Sequence, residues 1–137
     1  MDYEEVFDAS FERVKCDQEG RPGFFHAFYQ RFIKADPRVA KHFADTNMEK
    51  QQKMLEKSFY RLLVFYATNS TDDYLEEVAI RHSKLVLNIE LELFDVWLEC
   101  LIDTVRDYDP EYSDEVELSW RLLLATGIAY MKFKHDH

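Results

Sequence analysis

The sequence FFHAFYQRFIKADPRVAKHF, residues 24–43, predicts two consecutive helices and marks the boundary between them. Its phenylalanines recur with the spacing of one helix face as far as Phe32. Asp36 followed by Pro37 is typical of a helix start, because aspartate caps free backbone N–H groups and proline fits the first turn. The stretch therefore predicts a second helix that ends before Asp36 and a short third helix that ends near Phe43.

The rest of the chain divides in the same way into helices, which gives seven helices and no strand. Gly and Pro number only three each, and folds built from short strands need more of both for their turns. The expected fold class is all-α, with the last two helices as an antiparallel pair. We expect the first helix to end near Gly20 and the second to begin with Pro22. The fourth helix should run from a capping box at Thr46–Glu49 to about Ala67, and the fifth from a cap at Thr71 to near Asn88. The sixth should run from Leu91 to Tyr108, and the seventh should follow a cap at Ser113.

Length and composition fit one domain that spans residues 1–137, with 47% hydrophobic residues to form its core. The net charge of −10 argues against nucleic acid and anionic membranes as partners. No apolar run approaches the roughly 18 residues of a membrane-spanning helix. Cys16 and Cys100 fit no metal-binding spacing, and the acidic N-terminus is unlike a signal peptide. We therefore expect reduced thiols and a soluble, cytoplasmic protein.

His82 is the histidine whose surroundings indicate a metal ligand. Val78 and Ala79 share its helix face, and Leu85 and Leu87 follow it. No second histidine or cysteine lies near it, whereas a protein-only zinc site needs three or four such residues. A neutral imidazole on this apolar wall therefore suits a metal whose other ligands come from a cofactor. The alternative is an ordinary surface or core histidine.

Tyr29 and one of two glutamines are the candidate polar groups of a binding pocket. Tyr29 belongs to an aromatic run, and a core tyrosine is its alternative interpretation. Gln51 shares a helix face with Leu55, whereas the face of Gln52 includes Glu56, which belongs in water. Gln51 is thus the better candidate to point inward, although two surface glutamines remain the alternative.

Taken together, these positions resemble a bacterial single-domain globin, similar to the haem domain of flavohaemoglobins and to haem-sensor globins. The resemblance covers nearly the whole chain and depends on the order and spacing of its segments. The matching segments are Phe28-Tyr29 with Phe32, Asp36-Pro37 through Phe43, Arg81-His82-Ser83, Leu93 through Leu98, and Ser119-Trp120-Arg121.

The resemblance implies a globin fold around a pocket for haem b, with His82 bound to the iron and the sixth position open to dioxygen, NO or CO. It implies that Phe43 packs on the ring and that Tyr29 and Gln51 donate hydrogen bonds to the bound gas. His42, which precedes Phe43, is the main competitor for the ligand role. Arg81 is a candidate to contact a haem propionate, and the alternative is that it is an ordinary solvated arginine. Candidates for the pocket wall, with ordinary helix-helix core as the alternative, are Leu55, Phe59, Ile89, Phe94 and Trp97.

Three departures from that family pattern matter. Phe43 and Gln51 lie closer together than in many relatives, so Gln52 stays open as the polar donor. Phe94 and His135 fall near the places where flavohaemoglobins have a tyrosine and a glutamate that support the proximal histidine. No flavin or nicotinamide domain is present in the sequence, so NO dioxygenase activity would need a separate reductase.

Three classes of function remain open at this point. The first is a protein that reversibly binds a diatomic gas. The second is a haem redox enzyme, such as an NO dioxygenase, supplied by that separate reductase. The third is a gas sensor that signals by partner contact or as a homodimer, or else a haem-free interaction module.

Overall fold

The computed structural model describes residues 2–68, 73–83 and 88–136, with side chains omitted for 73 and 74. Over these ranges the chain is helical and contains no strand, as the sequence predicts. The expected cap Thr71 and the residues Leu85 and Leu87 lie outside the described residues. The helices are α1 Tyr3–Lys15, α2 Phe24–Ala35, α3 Pro37–His42, α4 Met48–Thr68, α5 Asp73–His82, α6 Glu92–Tyr108 and α7 Asp114–His135.

Two of the predicted helix starts are confirmed by their caps. The Asp36 carboxylate accepts a hydrogen bond from the backbone N–H of Arg38 at 2.8 Å, with Pro37 in the first turn. The Ser113 hydroxyl accepts one from the backbone N–H of Val116 at 3.2 Å. Both residues satisfy N–H groups that have no partner within their own helix.

The cap of α4 differs from the prediction by one residue. Asn47, and not Thr46, accepts hydrogen bonds from the backbone N–H groups of Glu49 and Lys50, at 3.1 and 3.2 Å. Asparagine is as good a cap as threonine or better, so the capping-box pattern alone could not choose between the two neighbours.

Three other predicted boundaries are wrong. Helix α1 ends at Lys15 because Cys16 adopts an extended conformation, and Gly20 with its φ of 77° lies in the following loop. Pro22 precedes α2 rather than opening it, and its carbonyl accepts a hydrogen bond from the Tyr108 hydroxyl at 2.6 Å. Helix α5 ends at His82 and not near Asn88, which has a left-handed φ of 50°.

The core is centred on Trp120 of α7, which is completely buried. Its ring lies 4.6 Å from the ring of Phe7 and 5.8 Å from that of Phe59, measured between centroids. Helices α1, α4, α5 and α6 all pack against α7, and α2 packs against α6. These aromatic contacts supply much of the apolar burial that stabilises the fold.

Helices α6 and α7 form the predicted antiparallel pair. Glu99 bonds to Arg121 at 2.8 Å, while Asp95, one turn earlier on α6, bonds to Lys132 further along α7 at 2.9 Å. The order of the partners is reversed between the helices, as an antiparallel pair requires. None of the helices in the described part of the chain is both long and apolar enough to span a membrane.

Candidate functional site

An apolar cavity of about 160 Å³ is bounded by residues of helices α2 to α7. Most of its lining is aliphatic or aromatic, so water inside it would find few partners. The tyrosine, glutamine, serine and histidine residues on the lining are Tyr29, His42, Gln51, Ser58 and His82. The lining thus combines an apolar surface with a few converging polar groups, which is typical of a small-molecule site.

His82 is the last residue of α5 and presents one ring nitrogen for binding. Its Nδ1 lies 2.7 Å from the carbonyl oxygen of Val78, and because a carbonyl can only accept, Nδ1 donates the hydrogen bond. Burial lowers the pKa of His82, and the charges of Arg81 and His42 act in the same direction. In the resulting neutral imidazole, Nε2 carries the lone pair that can bind a metal.

Tyr29 and Gln51 form a hydrogen-bonded pair on the lining. The Gln51 side-chain amide donates to the Tyr29 hydroxyl at 3.2 Å, and Tyr29 is buried. Gln52 instead lines a separate surface depression with Lys15 and Lys53. Of the two glutamines considered from the sequence, the structure brings Gln51 to the cavity.

Phe43 lies directly after α3 and closes one side of the cavity. Its ring is 5.6 Å from that of Tyr29 and 6.1 Å from that of Phe32, both at steep angles between the ring planes. Its backbone N–H donates to the carbonyl of Val39 at 3.2 Å. Packing and backbone bonding together fix this ring beside the Tyr29–Gln51 pair.

The other residues expected in the wall divide into two groups. Leu55, Ile89, Phe94 and Trp97 line the cavity together with Phe43. Phe94 also faces the His82 ring, with 6.3 Å between centroids.

Phe59 and Arg81 are not on the cavity lining. Phe59 is completely buried in the core, where its ring lies 5.3 Å from that of Phe11 on α1 and 5.8 Å from that of Trp120 on α7. Its position on α4 turns it toward those helices, and so it supports the wall from behind. Arg81 is exposed, because the helix turn that directs His82 inward directs its neighbour outward.

His42 lines the cavity and is paired with Glu90, which the sequence reading did not identify. The imidazole Nε2 donates to the Glu90 carboxylate at 3.2 Å. Burial acts to raise the pKa of Glu90, but the bonds from His42 and from its own backbone N–H lower it overall. No local pattern could have predicted a pair whose members are so far apart in the sequence.

His135 and the cysteines lie outside the cavity. His135 is mostly buried at the end of α7, and its Nε2 has no hydrogen-bond partner among the residues that the structure describes. The partner of His82 Nδ1 is thus the Val78 carbonyl and not a group at position 135. Cys16 and Cys100 are both free thiols, the first exposed and the second buried.

The donor set fits a flat apolar cofactor that brings most of its own metal ligands. Among the described residues, no three His, Cys, Asp or Glu side chains come close enough to hold a metal ion. One neutral histidine at an apolar cavity with aromatic walls is, however, the donor arrangement that a haem requires of its protein.

Comparison with known proteins gives one informative similarity. No family model matches the chain, and no curated protein matches it. Among solved structures, it is similar to a protein from Pseudomonas aeruginosa PAO1 that is described as structurally highly homologous to a human hemoglobin. The TM-score is 0.87 at 28% sequence identity, and the match covers 98% of each chain. The helical fold and this similarity along both chains support the resemblance to globins that the sequence indicates.

Proposed function

We propose that the protein is a globin that binds one haem b without a covalent link and uses it to bind dioxygen or a related diatomic gas reversibly. The observation that carries the proposal is His82, held by the Val78 carbonyl with Nε2 available at an apolar cavity. The Tyr29–Gln51 pair lines the same cavity and provides the polar contacts for a gas ligand.

The residues around His82 favour retention of a haem. Metal binding needs an unprotonated imidazole, and burial keeps His82 in that form by lowering its pKa. Phe43, Phe94 and Trp97 offer aromatic surface to a porphyrin ring. The sequence contains no Cys-x-x-Cys-His motif, so attachment through such a motif does not occur.

The polar pair on α2 and α4 is what we expect to distinguish one gas from another. The haem iron supplies the position at which a diatomic gas binds. The Tyr29 hydroxyl and the Gln51 amide are hydrogen-bond donors, and their bond to each other restricts how each can turn. A polar ligand such as dioxygen gains from these donors, whereas the less polar CO gains little.

The cellular compartment that we propose for the protein is inferred from its thiols. Cys16 is a free, exposed thiol and Cys100 is a free, buried one, which is in keeping with a reducing compartment, and we propose the cytoplasm.

The test is a haem titration of the recombinant protein followed by visible absorption. We expect one haem per chain with a sharp Soret band, and at least about a hundredfold weaker retention in His82→Ala. His26→Ala is the matched control, because His26 lines a surface depression away from the cavity and should keep wild-type retention. A wild-type protein that gains no Soret band, or a His82→Ala variant that retains haem equally well, would contradict the proposal.

A further inference from the structure

Two pairs of side chains connect α3 to the start of α6 and the residues just before it. His42 pairs with Glu90 at 3.2 Å, which we call the inner pair, and Arg38 pairs with Glu92 at 2.8 Å, which we call the outer pair. His42 and Arg38 are one turn apart on α3, so the pairs are side by side. Of these four residues, only His42 lines the cavity.

The segment held by the inner pair is also bonded to the end of α5. The backbone N–H of Ile89 donates to the carbonyl of His82 at 3.2 Å, and that of Asn88 donates to the carbonyl of Ser83 at 2.7 Å. Glu90 follows directly. A short chain of contacts therefore runs from the backbone of His82 through Ile89 and Glu90 to the side chain of His42.

The inner pair lies beside two residues of the cavity wall. Phe43 follows His42 and Ile89 precedes Glu90, and both line the cavity. Any separation of His42 from Glu90 would therefore let the aromatic side of the wall move away from the segment bonded to His82.

We propose that the His42–Glu90 pair is a clasp that holds this edge of the cavity closed and sets the rate at which haem leaves. The inference rests on the proposed haem binding and adds a positioning role for two residues that need not touch the iron. Both side chains of the pair are partly exposed, at 26% and 36%, so the pair contributes little to global stability. The pair instead acts on local opening of the cavity edge, which can require much less free energy than global unfolding.

The outer pair provides an internal control for this clasp. It joins the same two parts of the chain through a basic side chain and a glutamate, but neither Arg38 nor Glu92 lines the cavity. If general attraction between the segments were sufficient, loss of either pair would have the same consequence.

The experiment measures haem transfer from the ferric holoprotein to an excess of haem-free albumin, followed at the Soret band. We expect Glu90→Ala and His42→Leu each to speed haem loss about tenfold, and the double variant to lose haem no faster than either single variant. Glu92→Ala should change the rate less than about twofold. Glu90→Gln, which keeps an acceptor for His42, should restore most of the slow release.

A second measurement separates the clasp from a merely structural role. Thermal unfolding of the haem-free variants should give melting temperatures within about 2 °C of wild type, because the pair is partly exposed. Equal acceleration by Glu92→Ala, multiplying effects in the double variant, or a large drop in haem-free stability would overturn the clasp. Failure of the wild type to hold haem would overturn the proposed function itself, whereas wild-type release rates in the Glu90 and His42 variants would overturn the clasp alone.

Discussion

Two regions of this molecule use buried polar groups in opposite ways. Where α1 meets α6 and α7, the fully buried Ser10 hydroxyl donates to the Asp109 carboxylate at 2.6 Å and accepts from the Trp120 indole at 2.9 Å. Arg13 adds two hydrogen bonds to the same carboxylate, at 2.7 and 2.9 Å. Each of these groups is satisfied by the protein itself.

At the cavity, a histidine keeps one ring nitrogen outside the hydrogen bond that holds it. His82 lines the cavity and uses Nδ1 for a hydrogen bond within its own helix, so that Nε2 is not needed for that bond. The Gln51 side-chain amide donates to the Tyr29 hydroxyl, and both residues line the cavity. We infer from this difference that the first region maintains the fold and that polar groups at the cavity can be altered with less loss of stability. The predictions below test this division, from the largest effect to the smallest.

Replacing the central tryptophan should harm the fold most. Trp120 is completely buried, contacts several aromatic rings and donates to Ser10, so Trp120→Ala removes packing and leaves a buried hydroxyl with one bond fewer. We expect a loss of about 3–5 kcal/mol in the free energy of unfolding. Urea unfolding of the haem-free protein checks this value. A loss below about 1 kcal/mol would show that the region around Trp120 does not maintain the fold.

Acid should weaken the same region through Asp109. Burial acts to raise the pKa of Asp109, but the hydrogen bonds from Arg13, Ser10 and the Glu111 backbone bring it below the ordinary value of 3.8. The carboxylate therefore stabilises the protein above that pH, and its contribution is lost as the pH falls through the lowered pKa.

The matched variant is Asp109→Asn, which we expect to cost about 1.5–3 kcal/mol at pH 7 because the bonds lose their charged acceptor. Stability measured at pH 7 and again near pH 3 should fall less in this variant than in the wild type. An identical pH dependence in both proteins would show that Asp109 is not the group responsible.

Tyr29→Phe should affect ligand release and spare the fold. The ring that packs on Phe43 is kept, and only the hydroxyl bonded to Gln51 is removed. A hydrogen bond to a charged or strongly polar ligand contributes roughly 1.5–3 kcal/mol, so dioxygen should leave the ferrous protein about tenfold to a hundredfold faster.

Stopped-flow release of CO is the control for this variant, and its rate should change by less than about threefold. Gln51→Leu should act on dioxygen in the same direction, and Gln52→Leu should have no effect, since Gln52 lies outside the cavity. An unchanged dioxygen rate in Tyr29→Phe would mean that this hydroxyl does not reach the ligand.

The smallest effect is expected at a glycine of α7 on the cavity lining. A Cβ atom on Gly127 of α7 would lie 2.1 Å from the end of the Leu62 side chain, and both residues line the cavity. In Gly127→Ala, a gain of about 1 kcal/mol in helix propensity opposes an overpacking cost of about 1–3 kcal/mol, which the flexible leucine reduces. We expect a net change within about 1 kcal/mol in urea unfolding, and a larger loss would mean that Leu62 cannot move.

Features encoded locally were the ones that the sequence predicted well. Asp36 and Ser113 act as the expected caps. The helical spacing predicted that Gln51, rather than Gln52, points inward, and Gln51 lines the cavity. Features that depend on packing were missed. Phe59 is as apolar as the residues of the cavity wall, but its side chain packs toward α1 and α7. Glu90 contacts His42 only because the fold brings α3 beside the start of α6.

The central claim is that His82 is the residue that binds the haem iron. Resonance Raman spectroscopy of the ferrous protein tests it directly, because an iron–histidine vibration reports the bond itself. We predict that this band is present in the wild type, absent in His82→Gly, and replaced by an iron–imidazole band when imidazole is added to that variant. A wild-type spectrum without the band, or a His82→Gly spectrum that retains it without imidazole, would contradict the account.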